Sequence, residues 1–285
     1  LPFIICLVGL FQSCSILKSV KLNESLISSS CNQQNIYSYT ADEMPKELDY
    51  HQIHDSLNVK LTPNSLHIAN TIGVLDLLNQ YIEVKLNRKN LSSPDNRLKI
   101  LEIKQEINHQ INKASLIISA VSSELDCEEE RTSQVANFLK VKESDLESKL
   151  TMTAIVIGAS GAIATGGTVK NEKLSNGIGI GTGIAEASLG LLMFFNHRST
   201  KFYHERNALK DIWEGPKVSQ NFPVLIWYYL TAKNENLKSH KNLREQIVEK
   251  WEKFGQIDDD INQKEINLYF GNGGKYSTDQ LENRA

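Results

Sequence analysis

Charge is scarce where glycine is plentiful. Between Thr151 and Phe195 the only charged side chains are Lys170, Glu172, Lys173 and Glu186, yet nine of the 16 glycines lie there. Other shortages exclude whole classes of protein. Six prolines are too few for a proline-rich linker protein, and four cysteines are too few for a disulfide scaffold. Neither sign of charge dominates: 31 Lys and Arg against 34 Asp and Glu leave a net charge of −3. That balance excludes a basic nucleic-acid binder and an acidic solvating tail as whole-chain readings. The same balance of charge argues against a polytopic membrane protein. Catalytic signatures are missing as well. The seven histidines (His51, His54, His67, His109, His197, His204 and His240) are scattered, with no HExxH motif, no G-x-S-x-G elbow and no zinc-type Cys/His spacing. Glu128, Glu129 and Glu130 read as a solvated helix surface. No enzyme activity, metal or cofactor is expected.

What is present begins at the first residues. No charge precedes Lys18, and the apolar run from Leu1 fits the hydrophobic region of a secretory signal while being too short to span a bilayer. Leu10-Phe11-Gln12-Ser13-Cys14 resembles a bacterial lipoprotein signal, with Ser13 as the small residue before the cysteine. The resemblance implies removal of residues 1–13, diacylglyceryl transfer to the Cys14 thiol and acylation, palmitate included, of the new amino terminus. It places the protein in a bacterial cell envelope, membrane-anchored and facing the periplasm. An ordinary secretory signal and a buried apolar N-terminus are the alternatives. With no initiator Met at one end and a helix start at Ser277–Gln280 cut short by Ala285 at the other, a fragment of a longer reading frame is expected.

Export bears on the remaining cysteines. With Cys6 lost and Cys14 lipidated, Cys31 and Cys127 are an even pair in an oxidising compartment. Either they form a disulfide, worth about 4–5 kcal/mol in the chain-entropy model, or they are two buried thiols.

Residues 14–61, rich in Ser, Asn and Gln, read as a lipidated tether followed by a loose segment. Residues 62–150 read as a long helical stem. Thr62-Pro63 is a cap followed by proline at the first helical position, and Ile68, Ile72, Leu75, Leu78 and Ile82 predict a helix from about 63 to 89. Ser93-Pro94 repeats the start signal. Leu98, Leu101, Ile107, Ile111, Ile118, Val121 and Leu125 then carry an apolar stripe to about 148, straight or with one bend near Cys127. No proline intervenes before Pro216 and no glycine lies between Gly73 and Gly158, so nothing breaks that helix. The expected fold is mainly α: long antiparallel helices, coiled-coil-like, around a central glycine-rich apolar hairpin.

That hairpin occupies residues 151–195. Thr151–Val169 and Gly177–Phe195 are 19 residues each, roughly 28 Å as helices, near the thickness of a bilayer core. Lys170 to Asn176 makes the polar turn, and Lys149, His197, Arg198 and Lys201 flank the base. Small residues recur at every fourth position: Ala154, Gly158, Ala162 and Gly166 in the first helix, Gly177, Gly181 and Ala185 in the second, with Gly179, Gly183 and Ala187 as a second row. The pattern resembles glycine-zipper membrane segments, in which small residues let helix backbones approach closely. Three readings stand: a membrane-inserted hairpin, a hairpin buried in a soluble bundle, and a nucleotide site. The last rests on Ala154–Gly161, which resembles the strand and glycine turn of a short-chain dehydrogenase, but no alternation of strands and helices follows. Glu186 is a carboxylate at mid-span: either functional, as a proton, ion or partner contact, or facing water or an oligomer interior. Thr165 and Thr168 are its expected partners.

Residues 196–285 form an aromatic-rich helical region. Trp213, Phe222, Trp227, Tyr228 and Tyr229 suit a bilayer interface, a small core or a protein contact equally. Lys241 to Phe254 reads as a helix ended by Gly255, and Asn272-Gly273-Gly274 as a turn. The function expected first is that of an envelope lipoprotein with a structural or partner-binding role. Its partners would be a lipid bilayer and a second copy or an envelope protein, with no nucleic acid. A pore- or channel-forming protein is the alternative, since the layout is similar to helical pore-forming toxins; a soluble nucleotide-binding enzyme comes third. Ser15 after Cys14 suits the outer membrane, whereas spanning helices and the turn lysines suit the inner one.

Overall fold

A computed structural model describes residues 31, 37–86, 93–167, 171–204, 206–233, 241–253 and 261–285. The signal segment, Cys14, Thr168, Lys170, His240, Phe254 and Gly255 lie outside the described residues. The chain is mainly α-helical, with a single two-stranded sheet among the described residues. In chain order the elements are α1 (Asp55–Lys60), α2 (Pro63–Thr71), α3 (Leu75–Leu86), α4 (Pro94–Gly167), α5 (Glu172–Phe194), β1 (Ser199–Tyr203), α6 (Ala208–Glu214), α7 (Val224–Thr231), α8 (Leu243–Lys253), α9 (Gln263–Phe270), β2 (Gly273–Ser277) and α10 (Thr278–Arg284). They divide into two compact units, one of residues 30–128 and 204–272, the other chiefly of residues 129–203 and 273–285.

In the first unit the helix predicted over 63–89 is two helices. Thr62 caps α2 by accepting a hydrogen bond from the Ser65 amide at 3.1 Å, with Pro63 in the first turn, as the sequence predicts. The break comes at Gly73, whose φ of 74° is left-handed and cheap only for glycine. The turn there lets both helices use one core: Leu66 and Ala69 from α2 and Leu75 and Ile82 from α3 are buried with Leu57 of α1, and Ile107 packs against them. Part of the segment read as loose is therefore structured. Residues 37–61 carry α1 and two 3₁₀ turns, Ala41–Glu43 and Leu48–Tyr50.

The aromatics of the C-terminal region form a second core in this unit. Trp227 is fully buried and stacks on Phe222 at 5.8 Å, beside Val121 of α4, and its indole N–H donates to the Pro216 carbonyl at 3.1 Å. The Tyr228 hydroxyl donates to the Lys46 carbonyl at 2.9 Å and accepts from the Asn70 amide at 2.9 Å. Trp213 and Trp251 both stack on Phe270. Of the apolar stripe expected on α4, Ile107 and Val121 lie on the packed face, whereas Leu98, Leu101, Ile111, Ile118 and Leu125 are exposed; Ile103, outside that stripe, is buried. The helix is continuous through Cys127. Cys31 and Cys127 are joined as a disulfide, with a Cα–Cα distance of 5.4 Å.

The second unit contains a feature that local pattern does not predict. The segments after the hairpin and after Asn272 are strands, and β1 and β2 pair antiparallel from Ser199 with Ser277 to Tyr203 with Gly273. Gly273 and Gly274 thus open a strand instead of forming only a turn. The buried face of this ribbon carries Phe202 and Tyr276, packed edge to face at 6.1 Å, and the Arg131 guanidinium of α4 lies 4.2 Å over the Phe202 ring. Val135 and Leu139 on α4 and Leu281 on α10 are fully buried. Ser277 and Gln280 form the capping box read from the sequence at the start of α10.

Two measurements test this account. Cross-linking residues 96 apart limits the unfolded chain, so reducing the disulfide or making Cys127→Ala should lower unfolding free energy by about 4 kcal/mol in chemical denaturation. His67 is 4% exposed and stacks on Tyr228 and Tyr229. Burial holds its pKa below the ordinary histidine value, against a weaker opposing backbone hydrogen bond at Tyr229. The unfolded chain therefore takes up a proton that the folded chain refuses, and stability falls as pH drops through the ordinary histidine range. Melting temperature should decline more steeply from pH 7.5 to 5.5 in the native chain than in His67→Gln.

Candidate membrane hairpin

Two helical stretches, the end of α4 and the whole of α5, are long and apolar enough to cross a membrane, and almost none of either is buried. Glycine inside a helix costs about 1 kcal/mol relative to alanine in water. In a bilayer that preference matters less, because every backbone N–H and C=O must be bonded within the segment. The segment Ala154–Gly161 is helical throughout, so it does not form the strand and glycine turn of a dinucleotide site.

The two helices run antiparallel, and the contacts step from base to turn. The Thr151 hydroxyl lies 3.8 Å from the Met193 sulfur at the base. Next, the Glu186 carboxylate lies against Gly158, and the Thr182 side chain against Gly161, where a Cβ on either glycine would collide with it. Nearer the turn, Thr165 faces Gly179, and the Ser175 hydroxyl reaches the Thr165 carbonyl at 3.5 Å. Asn171 closes the turn by capping α5 through the Leu174 amide.

The seam therefore runs through Ala154, Gly158, Gly161 and Thr165 on α4 and through Ser175, Ile178, Thr182 and Ala185 on α5. Its steps are threes and fours. A strict fourth-residue row drifts about 40° around the helix at each step, so it leaves the interface within two steps. Ala154, Gly158 and Ala185 from the predicted rows stand on the seam, and Gly179 edges Thr165. Gly166, Gly177, Gly181 and Gly183 have nothing within 4 Å of a Cβ position, and Ala162 and Ala187 are exposed. Gly161 and Thr182 were not among the predicted packing residues. Their three–four spacing from Gly158 and Ala185 was the signal that could have found them.

Other hydroxyls within the hairpin bond to their own helices. Thr153 donates to the Lys149 carbonyl at 2.7 Å, Thr165 to Gly161 at 2.9 Å, Thr182 to Ile178 at 3.1 Å and Ser188 to Ile184 at 2.8 Å. Each is a donor satisfied without water. The outer surface is apolar, with Ile155, Ile163, Ile180 and Leu191 all at least 60% exposed and Phe194 and Phe195 exposed at the base. Glu186 is exposed as well. It has no hydrogen bond or ion pair with any described residue; Thr165, one expected partner, sits a helical turn or more away, facing Gly179.

Glu143 clasps the base. Its carboxylate accepts from the Arg198 amide at 2.5 Å and from the Thr278 hydroxyl at 3.0 Å, while its carbonyl accepts from the Asn196 side chain at 3.2 Å. Exit from the hairpin, the start of β1 and the start of α10 are thus fastened to one residue of α4. No group of three or more potential metal ligands occurs among the described residues.

The chain has no match among protein-family models, curated proteins or solved structures.

Unequal glycines follow from the seam. Gly161→Leu should separate α4 from α5 and lower the thermal transition of the hairpin in detergent by several degrees. Gly181→Leu, on the open side, should leave it within about a degree. Far-UV circular dichroism would read both; equal effects would contradict the seam.

Proposed function

We propose that this chain is a membrane-anchored protein of a bacterial envelope, that it inserts the 151–195 hairpin into a bilayer, and that its role is structural or associative. The observation that carries this reading is the outer surface of α4 and α5, where large apolar side chains stand exposed along both helices. Soluble monomers rarely expose contiguous apolar surface on that scale. Supporting it, the hairpin hydroxyls bond internally, and the charges Glu172 and Lys173 gather at the turn. The lipobox-like Cys14 supplies a second anchor, since the several acyl chains that the resemblance implies would hold the amino terminus to a membrane independently of the hairpin. In this reading the hairpin holds a partner or a second copy rather than performing chemistry.

A second reading, a pore built from several hairpins, is favoured by Gly177 and Gly181, a row on α5 where an added Cβ would meet nothing within 4 Å. Close helix packing between copies would use such a side.

Fractionation of expressing cells separates the anchors. Cys14→Ala should remain with salt-washed membranes, and so should the chain lacking residues 151–195. The combination of both changes should be released in full. If the combined variant still sediments with membranes, both anchors are misread. Dye leakage from vesicles that disappears with Gly181→Leu would select the pore over the scaffold.

A further inference from the structure

The hairpin contains one ionisable group in mid-span, and its surroundings give it no counter-charge. Glu186 lies eight residues before Phe194, so its Cα sits about 12 Å along the helix from the base, beyond the reach of a glutamate side chain to the interface. Opposite it on α4 is Gly158, which has no side chain, so the carboxylate rests on the backbone of that helix. The neighbouring residues on α4, Ala154, Ile157, Gly161 and Thr165, do not titrate. On α5 the nearest charged groups are Glu172 and Lys173 at the turn end, and on α4 the nearest is Lys149, about 14 Å along the helix from Gly158. His197 lies beyond the base. The nearby hydroxyls cannot solvate an anion without giving up bonds they already make: Thr182 donates to Ile178 and Thr165 to Gly161.

We propose that Glu186 makes entry of the hairpin into the bilayer proton-dependent, with one proton taken up per chain. This rests on the membrane reading above. As a carboxylate, Glu186 holds the apolar pair at the water side, because a bare charge in mid-membrane is costly and has no partner here. As a neutral carboxylic acid it removes that cost, and its O–H is turned toward the α4 backbone bared by Gly158. The step is a simple protonation, from carboxylate and proton to carboxylic acid. Leaving the membrane reverses it. Acidification near the surface would therefore drive the hairpin in, and a raised pH would favour its release.

Hydrogen–deuterium exchange over residues 151–195, with the full chain and vesicles of uncharged phosphatidylcholine, reads hairpin entry directly. Rates at pH 5 and pH 8 are corrected for intrinsic exchange. The native chain should gain at least tenfold more vesicle-dependent protection at pH 5 than at pH 8. Glu186→Gln should be protected equally at both, and Glu186→Asp should keep the dependence. Equal protection of the native chain at both pH values overturns the proposal and leaves the membrane reading intact. A pH dependence surviving in Glu186→Gln also overturns it, in favour of another group such as His197. If neither chain gains protection at either pH, the membrane reading fails and this proposal with it.

Discussion

At Gly158 and Gly161 the side chains of α5 take the space a Cβ would fill, and the antiparallel pairing of the apolar helices follows from those two gaps. With the backbones that close, weak packing and Cα–H contacts add up along the seam even where no water is expelled. The seam's other members then fall into a three–four rhythm, which turns most of the bulky Ile and Leu side chains outward. Larger residues at the two glycines would leave the helices apart and their hydroxyl-lined inner faces open.

One chain thus uses helices in opposite senses. In the first unit Trp227, Phe222 and Leu75 are turned inward, and polar groups such as Asn70 are paired inside. In the hairpin the inside is made mostly of small and hydroxylated residues, with Ile178 among them, and most of the large apolar ones stand outside. The first arrangement is held by burial of apolar surface away from water. The second has little of that force to call on while it stands in water, and α4 carries both arrangements along one uninterrupted helix.

Much of this was legible from residues close together in the chain. The caps at Thr62 and Ser277, the uninterrupted run of α4 and the two apolar spans all announce themselves within a few positions, although residues 172–176, read as part of the polar turn, are the start of α5. Gly73 was visible too, but inside a helical pattern its left-handed φ has no local marker. The seam was half legible: glycine abundance pointed to close packing, while the fourth-residue rows misplaced the contact face by ignoring helical drift. The strands β1 and β2 were not legible, since Phe202 pairs with Gly274 across some 70 residues and each strand is only five long. The aromatics' place in a core depended likewise on distant partners, among them Lys46 and Asn70 for Tyr228.

Pairing at that separation has a temporal side. Gly273 follows Phe195 by 78 positions, an interval of about 4–16 s at ordinary rates of chain synthesis. During those seconds the hairpin is complete while β2 and α10 do not yet exist, so Arg198 and Asn196 can reach Glu143 but Thr278 cannot. The apolar helices consequently meet their surroundings before their base is fastened. Strand β2 thus acts as a late fastening at the base of a hairpin whose sequence is already complete.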